Sequence, residues 1–308
     1  MNAVMQLNTN TNTNMPKYGI DTCAMLVQFS SSVWTARKLD KVATEEVIAD
    51  KHAGNKGAAR VNKHLLAGRS ELEIITSCVS RARVYVYANT LPWSDNGDRL
   101  LSTARFMAFN SRMQEFDEEF WRLVEEFKLV YPTLMTAQAM ALGGMYNRND
   151  FPMLSELEHK FAFAYNYMPV PTQGDFRVDV GNEAHKLLQE KMEKVGSQRI
   201  ELAMGDIRER LHNHLKRMSD RLTTDTVDGE EKKRRFHDTV IEGALDLCDL
   251  AKGGGQGLNL TDDPELENVR KALESALVGV TAEDVRKNTA VREGLKKDVD
   301  AILDKFAF

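Results

Sequence analysis

Seven histidines give the chain its most versatile chemical groups, because histidine serves both as a metal ligand and as a general base. His212 and His214 form the one close pair, in the segment LHNHL. Residues two apart on a helix point to different sides, whereas a shared ion needs ligands three or four residues apart. No cysteine or acidic ligand stands at a compatible spacing. We therefore predict no metal site.

The loops that bind phosphate or calcium are also incomplete. GNKG (54–57) lacks the Walker spacing, and GGGQG (253–257) follows a predicted helix, where a dinucleotide fingerprint should follow a strand. Near Asp95, a glycine stands where a calcium loop needs a ligand. No Ser/His/Asp or Cys/His set can be nominated. The sequence therefore predicts no catalytic residues, no cofactor and no enzymatic activity.

A block of basic residues has a functional interpretation. It holds seven cations against two carboxylates, Glu71 and Glu73, in a chain of net charge −5. Such a local surplus can track a nucleic-acid backbone. A solvated loop followed by an exposed helix face would have the same composition, so both interpretations stay open. The seven cations are Lys51, Lys56, Arg60, Lys63, Arg69, Arg81 and Arg83.

An alternating aromatic segment, KFAFAYNYMPV, is the second candidate. Phe161, Phe163, Tyr165 and Tyr167 fall on one face of a predicted strand. Rings on alternate positions of a sheet can stack on single-stranded bases. Large rings more commonly fill a core, and burial is the interpretation we favour. Tyr165 and Tyr167 are the candidate contacts for bases if the face is open.

The elements that position these residues follow from hydrophobic periodicity, which predicts a predominantly helical α+β protein. Alternation over Cys23–Thr35 and over residues 161–168 predicts two strands, and FRVDV (176–180) predicts a third. These strands are expected to form a small antiparallel three-stranded sheet, with the second and third as a hairpin.

Two long helices are predicted beside this sheet. Apolar residues from Phe106 to Leu134 recur at steps of three and four, which is a heptad pattern. Pro132 is expected to kink or divide this helix, and the glycines at 143–144 to end it. A second apolar stripe over residues 182–222 predicts an antiparallel, coiled-coil-like partner.

Composition divides the chain into three parts. Residues 1–16, rich in Asn and Thr, predict a disordered tail, and residues 17–224 the sheet with its helical arms. Residues 225–308 predict a helical C-terminal region after the polar linker TTDTVDGEEKKRR. Capping patterns at TDDPE (261–265) and at Thr281 with Asp284 predict helix starts there.

The compartment is predicted from what the sequence lacks. Apolar runs are too short for a membrane helix, and no secretion signal is recognisable. Three dispersed cysteines fit buried, reduced thiols rather than disulfides. We therefore expect a cytoplasmic protein without a membrane partner.

The stretch TLPWSDNGDRLL (90–101) carries its own prediction. Pro92 should end the preceding helix, and Asp95 or Asn96 should cap the long helix that follows. Trp93 is expected to act as a hydrophobic plug, and Arg99 to pair with Asp95. The functional alternative makes Trp93 and Arg99 a docking point for a partner or for DNA.

The same stretch, with WTARKLDK (34–41), FPMLSEL (151–157) and PVPTQGDFRVDV (169–180), resembles a family of uncharacterised proteins from tailed bacteriophages. The resemblance covers nearly the whole chain after the Asn/Thr tail. A more distant resemblance is to a domain of unknown function encoded near MoxR-type AAA+ ATPases. Neither resemblance carries an established activity, so it assigns no site residue.

Together these features predict a non-enzymatic phage protein that binds single-stranded nucleic acid, as a homo-oligomer, during DNA metabolism in the bacterial host cytoplasm. The alternative is an adaptor or scaffold whose coiled-coil arms recruit a protein partner such as an AAA+ ATPase. Charge reversal at Lys51, Lys56, Arg60 and Lys63 separates the two hypotheses, because only nucleic-acid binding should collapse.

Overall fold

A computed structural model describes residues 20–66, 70–171, 182–227 and 230–305. The described chain is mostly helical with a small antiparallel sheet, so the predicted α+β class is confirmed. The chain divides into two compact units. Unit 1 contains the residues up to Val27, Asn89–Met107 and the residues from Tyr167 onward, and unit 2 contains Gln28–Ala88 and Ala108–Asn166.

The main sheet has four strands rather than the three predicted, in the order β4-β5-β1-β6. Strand β1 pairs antiparallel with β5, from Ala24 opposite Ser102 to Val27 opposite Arg99. The predicted strand at 176–180 lies outside the described residues, as does the predicted tail at 1–16. The four strands are β1 (Ala24–Ser32), β4 (Leu91–Pro92), β5 (Arg99–Ser102) and β6 (Ala162–Pro169).

The two unpredicted strands come from TLPWSDNGDRLL, which forms a hairpin and not a helix cap. The carbonyl of Asp98 accepts from the backbone N–H of Trp93 at 3.1 Å and of Ser94 at 3.2 Å. Gly97 takes a φ of 93°, which is open to glycine and strained for other residues. Asp95 and Asn96 therefore lie in this turn, and the prediction that one of them caps the long helix is wrong.

Unit 2 is organised around two long helices, α3 (Glu71–Asn89) and most of α4 (Phe106–Leu142). The ring of Tyr85 stacks on Phe109 at 5.5 Å, and the buried thiol of Cys78 contacts the carbonyl of Phe116. Aromatic contacts thus join the two helices. The unit also contains α2 (Lys41–Asp50), α5 (Leu154–Leu157), β2 (Arg37–Leu39) and β3 (Asn62–His64).

Helix α4 corrects the coiled-coil prediction. Its buried residues run from Phe109 to Gln138 in eight steps, about 3.6 residues per step, which is the period of a straight helix and not the 3.5 of a heptad seam. Val124 and Tyr131 are buried, where the heptad pattern placed Leu123 and Val130. The helix also continues through Pro132 to Leu142, so the proline does not divide it.

Unit 1 is centred on the second half of α6 (Asn182–Leu222), whose predicted stripe from Met204 to Leu222 is buried. Helix α6 packs against α7 (Asp238–Leu250), α10 (Thr289–Lys305) and β4 within the unit. The predicted C-terminal helices are confirmed, with Pro264 and Thr281 at the expected starts. Besides α6, the α-helices of unit 1 are α1 (Ile20–Cys23), α7 (Asp238–Leu250), α8 (Pro264–Leu277), α9 (Ala282–Lys287) and α10 (Thr289–Lys305).

The predicted polar linker contains two short strands, β7 (Thr224–Val227) and β8 (Glu230–Lys233), which pair antiparallel. The buried guanidinium of Arg292 lies beside this hairpin. It donates to the carbonyls of Leu222 and Arg234, each at 2.9 Å, and to that of Arg221 at 2.5 Å. Arg292 therefore caps the C-terminus of α6, where the helix dipole favours a cation.

Candidate nucleic-acid interface

Strands β2 and β3 with helix α2 between them form one small structure, which we call the basic module (residues 37–64). The strands pair antiparallel, with Arg37 opposite His64 and Leu39 opposite Asn62. A backbone hydrogen bond from Leu65 to Ala36, at 2.7 Å, closes the pair at its open end. Two distant stretches of basic sequence thus become neighbours.

Asp40 links the strands of the basic module to its helix. Its Oδ1 accepts from the backbone N–H of Ala43 at 3.0 Å, which caps α2. Its own backbone N–H donates to the carbonyl of Val61 at 2.9 Å. The Thr44 hydroxyl donates to the Asp40 carbonyl and accepts from the Val61 N–H. The turn and the helix start are therefore fixed by one aspartate.

Lys63 holds the basic module to the segment that follows α4. The buried ammonium lies 2.7 Å from Asp150 and 3.4 Å from Asp40, and it donates to the carbonyl of Met145 at 2.6 Å. Burial lowers the pKa of Lys63, but the bonds to the two carboxylates outweigh burial and raise that pKa above its ordinary value. Lys63 is thus a structural cation, although the sequence suggested a phosphate contact.

The other cations of the basic module are exposed. Lys51 pairs with its neighbour Asp50 at 3.1 Å, an exposed contact that contributes little to stability. Within the described ranges, no carboxylate lies within 4.0 Å of the remaining five cations. The module therefore presents five cations to solvent without a carboxylate in contact with them, although α2 also carries the exposed carboxylates Glu45, Glu46 and Asp50. These five cations are Arg37, Lys38, Lys41, Lys56 and Arg60.

The remaining basic candidates have partners or lie elsewhere. Arg81, on α3, pairs with Glu119 at 2.5 Å. Arg83 donates to the hydroxyl of Ser31 at 3.1 Å and lies over the ring of Phe29. Arg69 falls outside the described residues. The seven-residue basic block is therefore not one surface.

The aromatic strand face is mainly core. Phe161 and Phe163 are buried, and the ring of Phe163 lies 5.3 Å from Phe120 on α4. Tyr165 is half-buried, and its pKa is raised by burial and then by the nearby carboxylates of Asp117 and Glu118. Those carboxylates would repel a phosphate, so Tyr165 has an unfavourable environment for a backbone contact.

Tyr167 is half-buried in unit 1, with its ring edge-on to Phe106 at 5.0 Å. The two candidates of the hairpin, Trp93 and Arg99, are buried. Trp93 lies in the core of unit 1 beneath the guanidinium of Arg199, and Arg99 donates to Thr90 Oγ1 at 2.7 Å. Trp93 is therefore the predicted hydrophobic plug, and neither side chain offers an open docking point.

Sequence reasoning missed three cations, Arg37, Lys38 and Lys41, because it began the basic block at Lys51. The segment WTARKLDK (34–41) signals them, because three of its last five residues are cations and only one, Asp40, is acidic. Their contribution depends on the pairing of β2 with β3 across 22 intervening residues, which local periodicity does not report.

The described ranges contain neither a candidate metal cluster nor a candidate membrane-spanning helix. Over residues 20–66, 70–171, 182–227 and 230–305, no group of three His, Cys, Asp or Glu side chains is arranged to hold a metal ion. The same residues include no helix with the length and apolar content to cross a membrane. No protein-family model, curated protein or solved structure matches the chain.

Proposed function

We propose that this protein binds single-stranded nucleic acid, without catalysis, through the basic module. The single observation that supports the proposal most is the set of five exposed cations that have no described carboxylate within 4.0 Å. A protein of net charge −5 gains little general attraction for a polyanion, so binding must depend on a local surface of this kind.

The cations are placed to follow a phosphate backbone. Arg37 and Lys38 project from a strand, while Lys56 and Arg60 lie on the loop that leads back to β3. That loop has no acidic residue from 51 to 61. Each phosphate contact releases counterions from the nucleic acid, which makes the affinity fall linearly with salt on logarithmic axes. Lys63 and Asp40 keep the module in one geometry.

The experiment compares two triple charge reversals. One variant carries Glu at Lys38, Lys56 and Arg60, and the matched control carries Glu at the exposed Lys271, Lys287 and Lys297 of the C-terminal helices. Fluorescence anisotropy of a labelled single-stranded oligonucleotide at low salt measures the affinity. We expect the module variant to bind roughly 100-fold more weakly and the control within about threefold of the wild type.

Two outcomes would refute the proposal. The first is that the wild type does not bind the oligonucleotide at low salt. The second is that both triple variants lose affinity equally, which would mean that net charge and not the basic module governs binding. Circular dichroism of all three proteins controls for folding. The phage origin and the homo-oligomeric state belong to the same proposal, and the molar mass in solution, measured with and without oligonucleotide, tests the oligomer.

A second function, as an adaptor for a protein partner such as an AAA+ ATPase, is favoured by one observation. The first four turns of α6, from Glu183 to Ser197, contain no buried residue, yet they carry Leu187 and Val195 on the exposed surface. An amphipathic helix with exposed apolar residues is a common docking element. Affinity capture with wild type and an L187E/V195E variant tests this function, and loss of a partner only in the latter would support it.

A further inference from the structure

We propose that Trp34 contacts the bases of the bound nucleic acid and gives the basic module its preference for single strands. This inference rests on the proposed function and extends it from phosphate contacts to base contacts. Trp34 is half-buried and precedes Arg37 and Lys38 by three and four residues. Phosphate contacts alone do not distinguish an open strand from a duplex, so a preference needs a group that reads exposed bases.

The turn between Trp34 and the module is fixed in an unusual conformation. Ala36 has a φ of 48°, in the left-handed region that costs an L-residue roughly 1 kcal/mol or more. Its side chain is buried, and its carbonyl accepts the N–H of Leu65. The strained Ala36 lies in a well-bonded turn, which fixes the position of Trp34 three residues before the start of β2.

Two rings of α4 contact the indole of Trp34. Tyr131 meets it edge-on at 5.8 Å, and Phe127 meets it at a tilt at 6.4 Å. The Tyr131 hydroxyl donates to the carbonyl of Pro152 at 2.9 Å, and burial raises the pKa of Tyr131 to about 12. Tyr131 is therefore a neutral, anchored support. Neither ring is parallel to the indole. A base that stacks on the indole would lie parallel to it, so neither ring takes the position of a stacked base.

Base stacking explains why this residue would select single strands. Every base offers a flat π-face, so an aromatic side chain contacts it without sequence preference. In a duplex those faces are stacked on neighbouring base pairs and are unavailable without unstacking. The cations of the basic module bind phosphates of either form. Trp34 is thus the part of the site that separates the two substrates.

The other tryptophans provide internal controls. Trp121 is also partly exposed and also contacts a ring, that of Phe120, but it lies six residues before Phe127, roughly 9 Å along the helix. Trp93 is buried in unit 1. A W121L variant therefore removes an equally large aromatic surface from α4 without touching the support of Trp34.

The test measures binding of the full chain to one oligonucleotide as a single strand and as a duplex, for wild type, W34L, W34F and W121L. We expect W34L to weaken single-strand binding about tenfold and duplex binding less than twofold, and W34F to recover part of the loss. W121L should match the wild type. Oligothymidylate should quench intrinsic fluorescence in wild type and W121L, and the quenching should be absent in W34F.

The outcomes separate this inference from the proposed function. If W34L and W34F bind both forms as the wild type does, or lose both equally, the role of Trp34 is refuted while binding through the basic module stands. If the wild type binds neither form, both proposals fail. Thermal unfolding of each variant identifies a folding defect, and W34F, which keeps a ring in the same position, preserves the test if W34L does not fold.

Discussion

The basic module and the C-terminal helices carry similar densities of cations but treat them differently. In the helices, Arg270 pairs with Glu267 and Glu274, Lys287 pairs with Glu283, and Lys296 lies 2.8 Å from Asp300. These pairs are three or four residues apart, so helical geometry supplies the partner. In the basic module, five exposed cations have no described carboxylate within 4.0 Å.

This difference shows that a local surplus of cations predicts a binding surface only where the secondary structure does not place carboxylates beside those cations. The basic module buries Lys63, and the C-terminal helices bury Arg270 and Arg292. Lys63 lies between two carboxylates, whereas Arg292 is surrounded by backbone carbonyls at a helix C-terminus. Burial lowers the pKa of Arg292, and only the carbonyl contacts offset that cost.

The largest expected effect comes from Arg292→Leu. The substitution leaves the carbonyls of Arg221, Leu222 and Arg234 without their buried donor, and it removes a cation from the end of α6. We expect the free energy of unfolding to fall by about 4 kcal/mol, measured by urea denaturation. The exposed Lys297→Ala serves as control and should change it by less than about 0.5 kcal/mol. If the two substitutions lowered the free energy of unfolding equally, Arg292 would have no special structural role.

Lys63→Met should have the next largest effect, about 3 kcal/mol, because it leaves Asp40 and Asp150 facing each other's charge in a buried setting. Lys56→Met, in the same module, should leave the urea midpoint unchanged but weaken binding to an oligonucleotide. The two variants therefore separate the structural role of Lys63 from the binding role of Lys56. A stable Lys63→Met protein would show that this cation does not hold the module.

Asp40, which lies beside Lys63, should make the stability of the protein depend on pH. The backbone N–H of Ala43 and then the Lys63 ammonium lower the pKa of Asp40 below its ordinary value. Its stabilising contribution is therefore complete above the unfolded pKa, about 3.9, and is lost as the pH falls through the lower folded value. We expect Asp40→Asn to reduce the slope of stability against pH between about 5 and 2. An unchanged slope would contradict this linkage.

The smallest effect is expected for an exposed pair. Lys287→Ala removes the partner of Glu283 on α9, where both side chains are solvated, and should change the unfolding free energy by no more than about 0.5 kcal/mol. A thermal melt beside Arg292→Leu measures both on one scale. A large loss of unfolding free energy in Lys287→Ala would mean that surface ion pairs stabilise the C-terminal helices and do not only neutralise their charge.

Periodicity predicted the parts of the fold in which one element buries one face. The stripe from Met204 to Leu222 and the last helix, with Leu295, Val299 and Ile302, were predicted correctly because their apolar spacing is unambiguous. In α4, both Leu123 and Val124 are apolar, so the sequence allowed either register and the heptad pattern was chosen wrongly. Straight-helix packing decided between them.

Long-range pairing accounts for what the sequence did not reveal. Strand β4 has two residues, too few for any periodic signal, and is defined only by its partner β5. Lys63 follows an asparagine, as Lys56 does, but its burial depends on Asp40 and on Asp150, which is 87 residues away. The sequence therefore located part of the basic surface without separating structural from exposed cations.

The central claim, that the unneutralised cations of the basic module bind a phosphate backbone, is tested most directly by the salt dependence of single-strand binding. With four to six phosphate contacts, the logarithm of the affinity should fall against the logarithm of salt with a slope of about −3 to −4. The variant with Glu at Lys38, Lys56 and Arg60 should have a slope about 2 smaller in magnitude. A wild-type slope near zero, or the same slope in both proteins, would contradict the account.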